Sequence, residues 1–212
     1  MVCHNCQDQH LAEAEVDVIR HYLDRPLYKR ALDIGCGDSG AGQLIFEGNH
    51  YTGIDRLYGD DATALKFNDE GFDFVLLKRI LCQHPPHTRA KIIAEAVRVC
   101  RPGGSIIICE PWSFEYAQLK ALRIKAGLAP LPHPKSGGNL LTEGELNGHR
   151  LHKVADLPVA SSYVYHTRFL HEMRTGNMLP YDAGYTRRRA PEEVSSVSRF
   201  NPYRVKVYER AT

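Results

Sequence analysis

Apolar and polar positions follow two rhythms along this chain, and the rhythm changes at glycine and proline. Between residues 8 and 23, Leu11, Ala14, Val18 and Tyr22 recur at helical spacing, with Glu13, Asp17 and Arg20 on other faces. That spacing predicts an amphipathic helix, which Pro26 ends. An apolar strand over 30–35 then stops at Gly35, Gly37 and Gly40, and Gly40 to Gly48 reads as a helix with Leu44, Ile45 and Phe46 apolar. Tyr51-Thr52-Gly53-Ile54 reads as a strand. Asp73-Phe74-Val75-Leu76-Leu77 reads as another, almost continuously apolar and so buried on both faces. The helix 88–100 sets Ile92, Ala96 and Val99 on one face and ends at Arg101-Pro102-Gly103-Gly104, before the strand Ser105 to Cys109.

Ser113 caps a helix running to about Ala126, with Gly127 its terminator. Residues 128–139 are too rich in proline and glycine for regular structure, and Thr142-Glu143-Gly144-Glu145 is a capping box opening a short helix. Strand-like segments return at His152 to Val159, Ser162 to Leu170 and Tyr203 to Tyr208.

Strands separated by helices predict an α/β fold with a mostly parallel sheet. In such sheets ligands bind beyond the carboxyl ends of the strands. The spacing G-x-G-x-x-G at Gly35, Gly37 and Gly40, closing a strand and opening a helix, is a nucleotide-binding pattern. A plain tight turn is the simpler alternative. Asp33 is a carboxylate inside an apolar run, and a buried acid needs partners. Asp55, at the end of the next strand, can accept two hydrogen bonds from the vicinal hydroxyls of a ribose, or be an ordinary loop acid.

In order along the chain, L-D-I-G-C-G (32–37), Y-T-G-I-D (51–55), G-D-D-A-T-A-L-K-F (59–67), F-D-F-V-L-L (72–77) and E-A-V-R-V-C-R-P-G-G-S-I-I-I-C-E-P (95–111) resemble the class I S-adenosylmethionine-dependent methyltransferases of small-molecule type. The resemblance covers roughly residues 8 to 125. It implies a three-layer Rossmann-like sandwich whose parallel sheet closes with an antiparallel pair at the carboxyl edge. It also implies S-adenosyl-L-methionine as cofactor, held by Asp33, Gly35, Cys36, Gly37, Asp55, Arg56, Asp61, Ala62 and Lys78. Asp61 matches the acid that meets the adenine amino group, with Asp60 as its substitute. One departure stands out. The family inserts a helix and a strand after the acid at position 55, but here Arg56-Leu57-Tyr58 leads straight to Gly59-Asp60-Asp61. A crossover needs a dozen or more residues, so the third strand is expected to be missing or vestigial.

The stretch Lys78 to His84, beyond a buried strand, discriminates between chemistries. The [DN]-P-P-Y run of DNA and RNA adenine methyltransferases is not there, and where metal-dependent catechol-type transferases place an aspartate this chain has Lys78. His84 is the candidate general base, since imidazole titrates near neutrality; capping the next helix is its alternative role. Glu110 and Trp112 are expected on the substrate side, with Trp112, Tyr116, Tyr185 and Arg188 as candidate acceptor contacts. Residues 171–200, with Arg174, Tyr181, Tyr185 and Arg187-Arg188-Arg189, read as a solvated loop, a lid gripping an anionic substrate, or an RNA-contacting patch.

Composition narrows these readings little. The chain has 212 residues, 43% hydrophobic and 25% charged, with a net charge of +2, too small to imply a nucleic-acid or membrane partner. No apolar run reaches membrane-spanning length, and the N-terminus lacks a signal pattern, so a cytoplasmic protein is expected. Cys3 and Cys6 form a C-x-x-C near His10, but no second ligand pair follows, so no metal is expected. One domain is expected over 1–212, with a cofactor-binding core over 1–127 and the substrate loop, lid and closing strands over 128–212. The function implied is methyl transfer to a small-molecule O or N nucleophile, anionic acceptors included. The alternatives are a non-catalytic cofactor-binding subunit and, behind it, an RNA methyltransferase.

Overall fold

The computed structural model describes residues 9–23, 27–38, 40–125, 127, 140–158 and 203–212. Their elements in chain order are α1 (Gln9–Leu23), β1 (Arg30–Ile34), α2 (Ala41–Ile45), β2 (His50–Ile54), β3 (Phe72–Lys78), α3 (Pro86–Val99), β4 (Cys100–Pro111), α4 (Ser113–Lys125), β5 (Leu151–Pro158) and β6 (Tyr203–Arg210), with short 3-10 turns at Arg56–Tyr58, Leu81–Gln83 and Glu143–Leu146. The strands form one sheet in the order β2-β1-β3-β4-β6-β5. The first four are parallel, whereas β6 runs antiparallel to both β4 and β5. This is the expected α/β sandwich with its reversed strand at the carboxyl edge. The expected shortening is also there: between β2 and β3 lies one 3-10 turn and no strand, so β2 is the edge.

Strand alternation sorts the core into two layers. On one face Leu32, Ile34, Val75, Leu77, Ile106 and Ile108 meet Ile92, Ile93, Ala96 and Val99 of α3. On the other, Ala31, Leu76, Ile107, Cys109, Val205 and Val207 meet Val16 and Ile19 of α1 and Ala41 and Ile45 of α2. Asp33 and Lys78 keep the parity of Ala31 and Leu76, so their side chains emerge on the α1/α2 face. The face of α1 differs in part from the expected one: Glu15, Val16 and Ile19 are buried, Val18 is partly buried, Tyr22 is exposed, and the side chains of Leu11 and Ala14 lie outside the described residues. The second helix is five residues rather than nine, with Leu44 on its outer side.

The 142–146 turn forms as its sequence predicts, the Thr142 N–H donating to Glu145 Oε1 at 3.0 Å. Gly127, at φ +72°, follows α4 as its terminator. The 128–139 loop, the 162–170 segment, the basic stretch 171–200 and the Cys3/Cys6 pair lie outside the described residues.

Candidate active site

The carboxyl ends of β1, β2, β3 and β4 converge on one side of the molecule, and the candidate site is built there from four loops. The first is the glycine turn after β1. Gly35 and Cys36 N–H groups both donate to the carbonyl of Ile54, at 2.8 and 3.1 Å, which folds the turn against the end of β2. Gly35 has φ +80°, and a Cβ there would meet Ile80 Cδ1 at 2.9 Å, so this position needs glycine for both backbone and space.

Asp33 lies beneath that turn and is 2% exposed. The Tyr51 hydroxyl donates to its Oδ2 at 3.2 Å, while Oδ1 is buried without a hydrogen-bond partner. Burial raises its carboxyl to about 6, opposed by the Lys78 ammonium and the Tyr51 hydrogen bond. Gly42 of α2 is what lets the acid sit there. A Cβ on Gly42 would come within 2.0 Å of Asp33 Oδ2 and 2.7 Å of the Tyr51 hydroxyl. Cys36 is half-buried beside it, and desolvation with the Asp33 and Asp55 charges pushes its thiol up.

The second loop follows β2. Asp55 Oδ2 accepts the Gly37 N–H at 3.0 Å, and Oδ1 accepts the Leu57 N–H at 2.9 Å, capping the 56–58 turn. A carboxylate has about four lone-pair sites, so each oxygen retains capacity for a ligand hydroxyl. Asp55 and Asp60 also tie to each other, through Asp55 N–H to Asp60 Oδ2 at 3.3 Å and Asp60 N–H to the Asp55 carbonyl at 3.2 Å. Asp61 is exposed, and its Oδ1 takes both the N–H and the hydroxyl of Thr63, which hold its carboxyl below the usual range. Ala62 beside it packs on the core.

The end of β3 carries Lys78, and the loop after it, the third, carries Arg79 and His84. Lys78 Nζ stands 3.6 Å from Glu15 Oε2 on α1. Arg79 is buried, with Nε and Nη2 donating to Glu15 Oε1 at 3.1 and 2.7 Å. The Leu81–Gln83 turn follows, with His84 as its C-cap residue. Its imidazole is part-buried, and desolvation together with the Arg56 cation lowers its pKa. Both effects favour the neutral ring, the form able to accept a proton.

The end of β4 and the residue that follows it correct two expectations. Glu110 is not on an open face of the site. It is fully buried, its oxygens accepting the Leu81 and Cys82 N–H groups at 2.7 and 3.2 Å. Burial pushes its carboxyl up to about 7 despite those bonds. Trp112 is 1% exposed: its Nε1 donates to the Arg204 carbonyl at 3.3 Å, and Lys206 Nζ lies 4.1 Å from its ring centroid. Its ring belongs to the core, not to an open acceptor wall. Tyr116, one helical turn on, is nearly buried, and burial raises its pKa. Tyr185 and Arg188 lie outside the described residues.

Sequence reasoning missed the Glu15–Arg79 pair and the capping role of Glu110. The signals were there in outline. Two consecutive cations after a buried strand require anions nearby, and a glutamate ending another buried strand requires donors. Among the described residues no group of acids, histidines and cysteines could hold a metal ion, and no helix is long and apolar enough to cross a membrane.

Comparison with known proteins agrees with this fold. Residues 56–108 match a family model described as a methyltransferase domain. A phthiotriol/phenolphthiotriol dimycocerosates methyltransferase of Mycobacterium tuberculosis is 35% identical over 114 residues, 43% of this chain and 38% of the relative, so the match spans well under half of the relative's length. A crystal structure of Burkholderia thailandensis 1,6-didemethyltoxoflavin-N1-methyltransferase, with 1,6-didemethyltoxoflavin and S-adenosylhomocysteine bound, superposes with a TM-score of 0.56 at 14% identity, covering 99% of this chain and 82% of its own. The [4+2]-cyclase SpnF superposes at 0.58 with 17% identity, over 94% of this chain and 81% of that one. At such identities these structures speak for the fold.

Proposed function

We propose that this chain, which has the fold and a matching core segment of the class I S-adenosylmethionine-dependent methyltransferases, binds S-adenosyl-L-methionine and methylates an oxygen or nitrogen nucleophile on a small molecule, anionic acceptors included. The observation that carries the reading is Asp33: a carboxylate oxygen buried beside a glycine turn with no partner in the protein. Such an atom is costly unless a ligand supplies a donor, and a cationic amino group suits it. Asp55 would take the ribose hydroxyls on its remaining lone pairs, and Asp61, through Oδ2, the adenine amino group. Gly35, Cys36 and Gly37 would present backbone to the ligand, Arg56 and Lys78 would flank it, and Tyr116 would border the acceptor.

When bound, the cofactor supplies a methyl already activated on a sulfonium. What is left to the chain is alignment of the two partners and exclusion of water. His84 would hold the acceptor's proton at an imidazole nitrogen as the nucleophile loses it. A second reading, a non-catalytic cofactor-binding subunit, is favoured by the lost edge strand.

Calorimetric titration with S-adenosylhomocysteine, and with NAD as control, tests the assignment. Micromolar binding of the first alone supports it. A labelled-methyl assay over a panel of anionic and neutral acceptors then separates enzyme from binding subunit.

A further inference from the structure

Segment 78–84 carries both Lys78 and His84, and two buried carboxylates from other elements hold it. Glu110, at the end of β4, caps the Leu81–Gln83 turn from within. Glu15 reaches it from α1, 64 residues earlier in the chain, with no exposure of its own. Arg79, the residue it grips, has φ +57°. A long-chain residue in that left-handed region is held there by its surroundings rather than by preference. Its N–H donates to the Cys109 carbonyl at 3.0 Å, and its own carbonyl accepts from Cys82 Sγ and Gln83 Nε2. The guanidinium fork on Glu15 therefore fixes a backbone from which the next turn hangs.

The charges around this point are unevenly shared. Glu15, Asp33 and Glu110 are buried acids, while Lys78 and Arg79 are the cations among them. A buried cation that loses a counterion is costly, and Arg79 without Glu15 loses the carboxylate that takes its Nε and Nη2, which presses it to leave its position. Leaving it would release the backbone conformation at residue 79, and with it the turn that ends in His84.

We propose that Glu15 is a positioning residue: through its ion pair with Arg79 it sets the 78–84 segment, so that the seating of α1 on the sheet determines where Lys78 and His84 stand. The role rests on the methyltransferase reading only for what those two residues do; the coupling itself is a property of the fold. Glu15 touches no ligand in this scheme: it acts through Arg79 and, on Lys78, also through its own 3.6 Å ion pair.

The test uses the full chain as wild type, Glu15→Gln, Arg79→Gln and the double variant. Each is titrated calorimetrically with S-adenosylhomocysteine, and the His84 imidazole is followed by NMR through a pH titration, its resonance assigned by its loss in His84→Asn. In Glu15→Gln the affinity falls about tenfold, in line with displacement of a ligand-facing segment. The His84 midpoint rises toward the ordinary imidazole value as the ring gains solvent, the Arg56 cation remaining its charged neighbour. The double variant changes both readouts little beyond Glu15→Gln alone, because each single change already breaks the same pair. A Glu15→Gln protein that melts earlier but keeps wild-type affinity and the wild-type His84 midpoint overturns the proposal, as does simple additivity in the double variant. If Glu15→Gln does not fold, Arg79→Lys keeps the charge and removes the fork, and unchanged readouts there overturn it equally. Failure of wild type to bind S-adenosylhomocysteine would refute the functional reading, while the His84 resonance would still report the coupling.

Discussion

The Tyr51 hydroxyl donates to Oδ2 of Asp33 at 3.2 Å, from one parallel strand to its neighbour, and satisfies only half of a carboxylate that is 2% exposed. Desolvation outweighs that bond and the Lys78 charge, which is why the Asp33 carboxyl is raised to about 6. The acid is an energetic burden in the ligand-free fold, and its removal has a signed consequence.

A carboxyl raised in the native state binds more protons there than in the unfolded chain, so stability falls as pH rises. The cost is absent below about pH 4, grows between about 4 and 6, and is constant above. Asp33→Asn removes it. The variant is expected to be more stable than wild type by roughly 3 kcal/mol at pH 7 and no more stable near pH 3.5, from two pH units of raised carboxyl. Chemical denaturation at several pH values checks this, and an equal gain at all of them would sink it. S-adenosylhomocysteine affinity should fall in the same variant.

Gly42→Ala places a methyl 2.0 Å from Asp33 Oδ2 and 2.7 Å from the Tyr51 hydroxyl. Neither neighbour can retreat without breaking the bond between them. A loss of about 1–3 kcal/mol is expected, the range for overpacking a tight site, read as a lower melting temperature. A fully stable Gly42→Ala would show that α2 shifts freely.

Asp55→Ala should weaken S-adenosylhomocysteine binding by about 1–3 kcal/mol, the cost of losing a charge-assisted acceptor. Because Asp55 also holds the Gly37 and Leu57 N–H groups, Asp55→Asn is the gentler probe, keeping one acceptor oxygen. Unchanged affinity in both variants removes Asp55 from the site.

His84→Ala should lower turnover roughly a hundredfold or more if the imidazole moves the proton, while S-adenosylhomocysteine affinity stays within twofold of wild type by about 0.4 kcal/mol. The His84 pKa is lowered, so the wild-type rate should decline on the acid side only below the ordinary imidazole range. Equal rates in His84→Ala would take the residue out of the mechanism.

What could be read from the sequence was local. The glycine turn, the acid ending β2, the capping box at Thr142 and the absent edge strand each depend on a few adjacent residues whose backbone chemistry is decisive. What could not be read was carried by distant partners. Glu15 reads as a polar helix position and is instead the buried counterion of Arg79, 64 residues away. Around it Val16 and Ile19 are buried, Val18 is only partly so, and Tyr22, expected on the buried face, is exposed. Glu110 and Trp112 follow a buried strand and so read as site residues. Their burial depends on the 79–84 turn, the Arg204 carbonyl and the Lys206 side chain, which sequence proximity does not bring near.

The lost strand has one more consequence. In seven residues the chain passes from Asp55 to Asp61, and the reciprocal bonds between Asp55 and Asp60 make that passage a single stiff clip. Sugar recognition and base recognition, if both reside here, share one lever arm. A change that tilts one end displaces the other, so substitutions at Asp55 and Asp61 should be strongly non-additive. A nucleoside altered at either moiety would then lose grip on both.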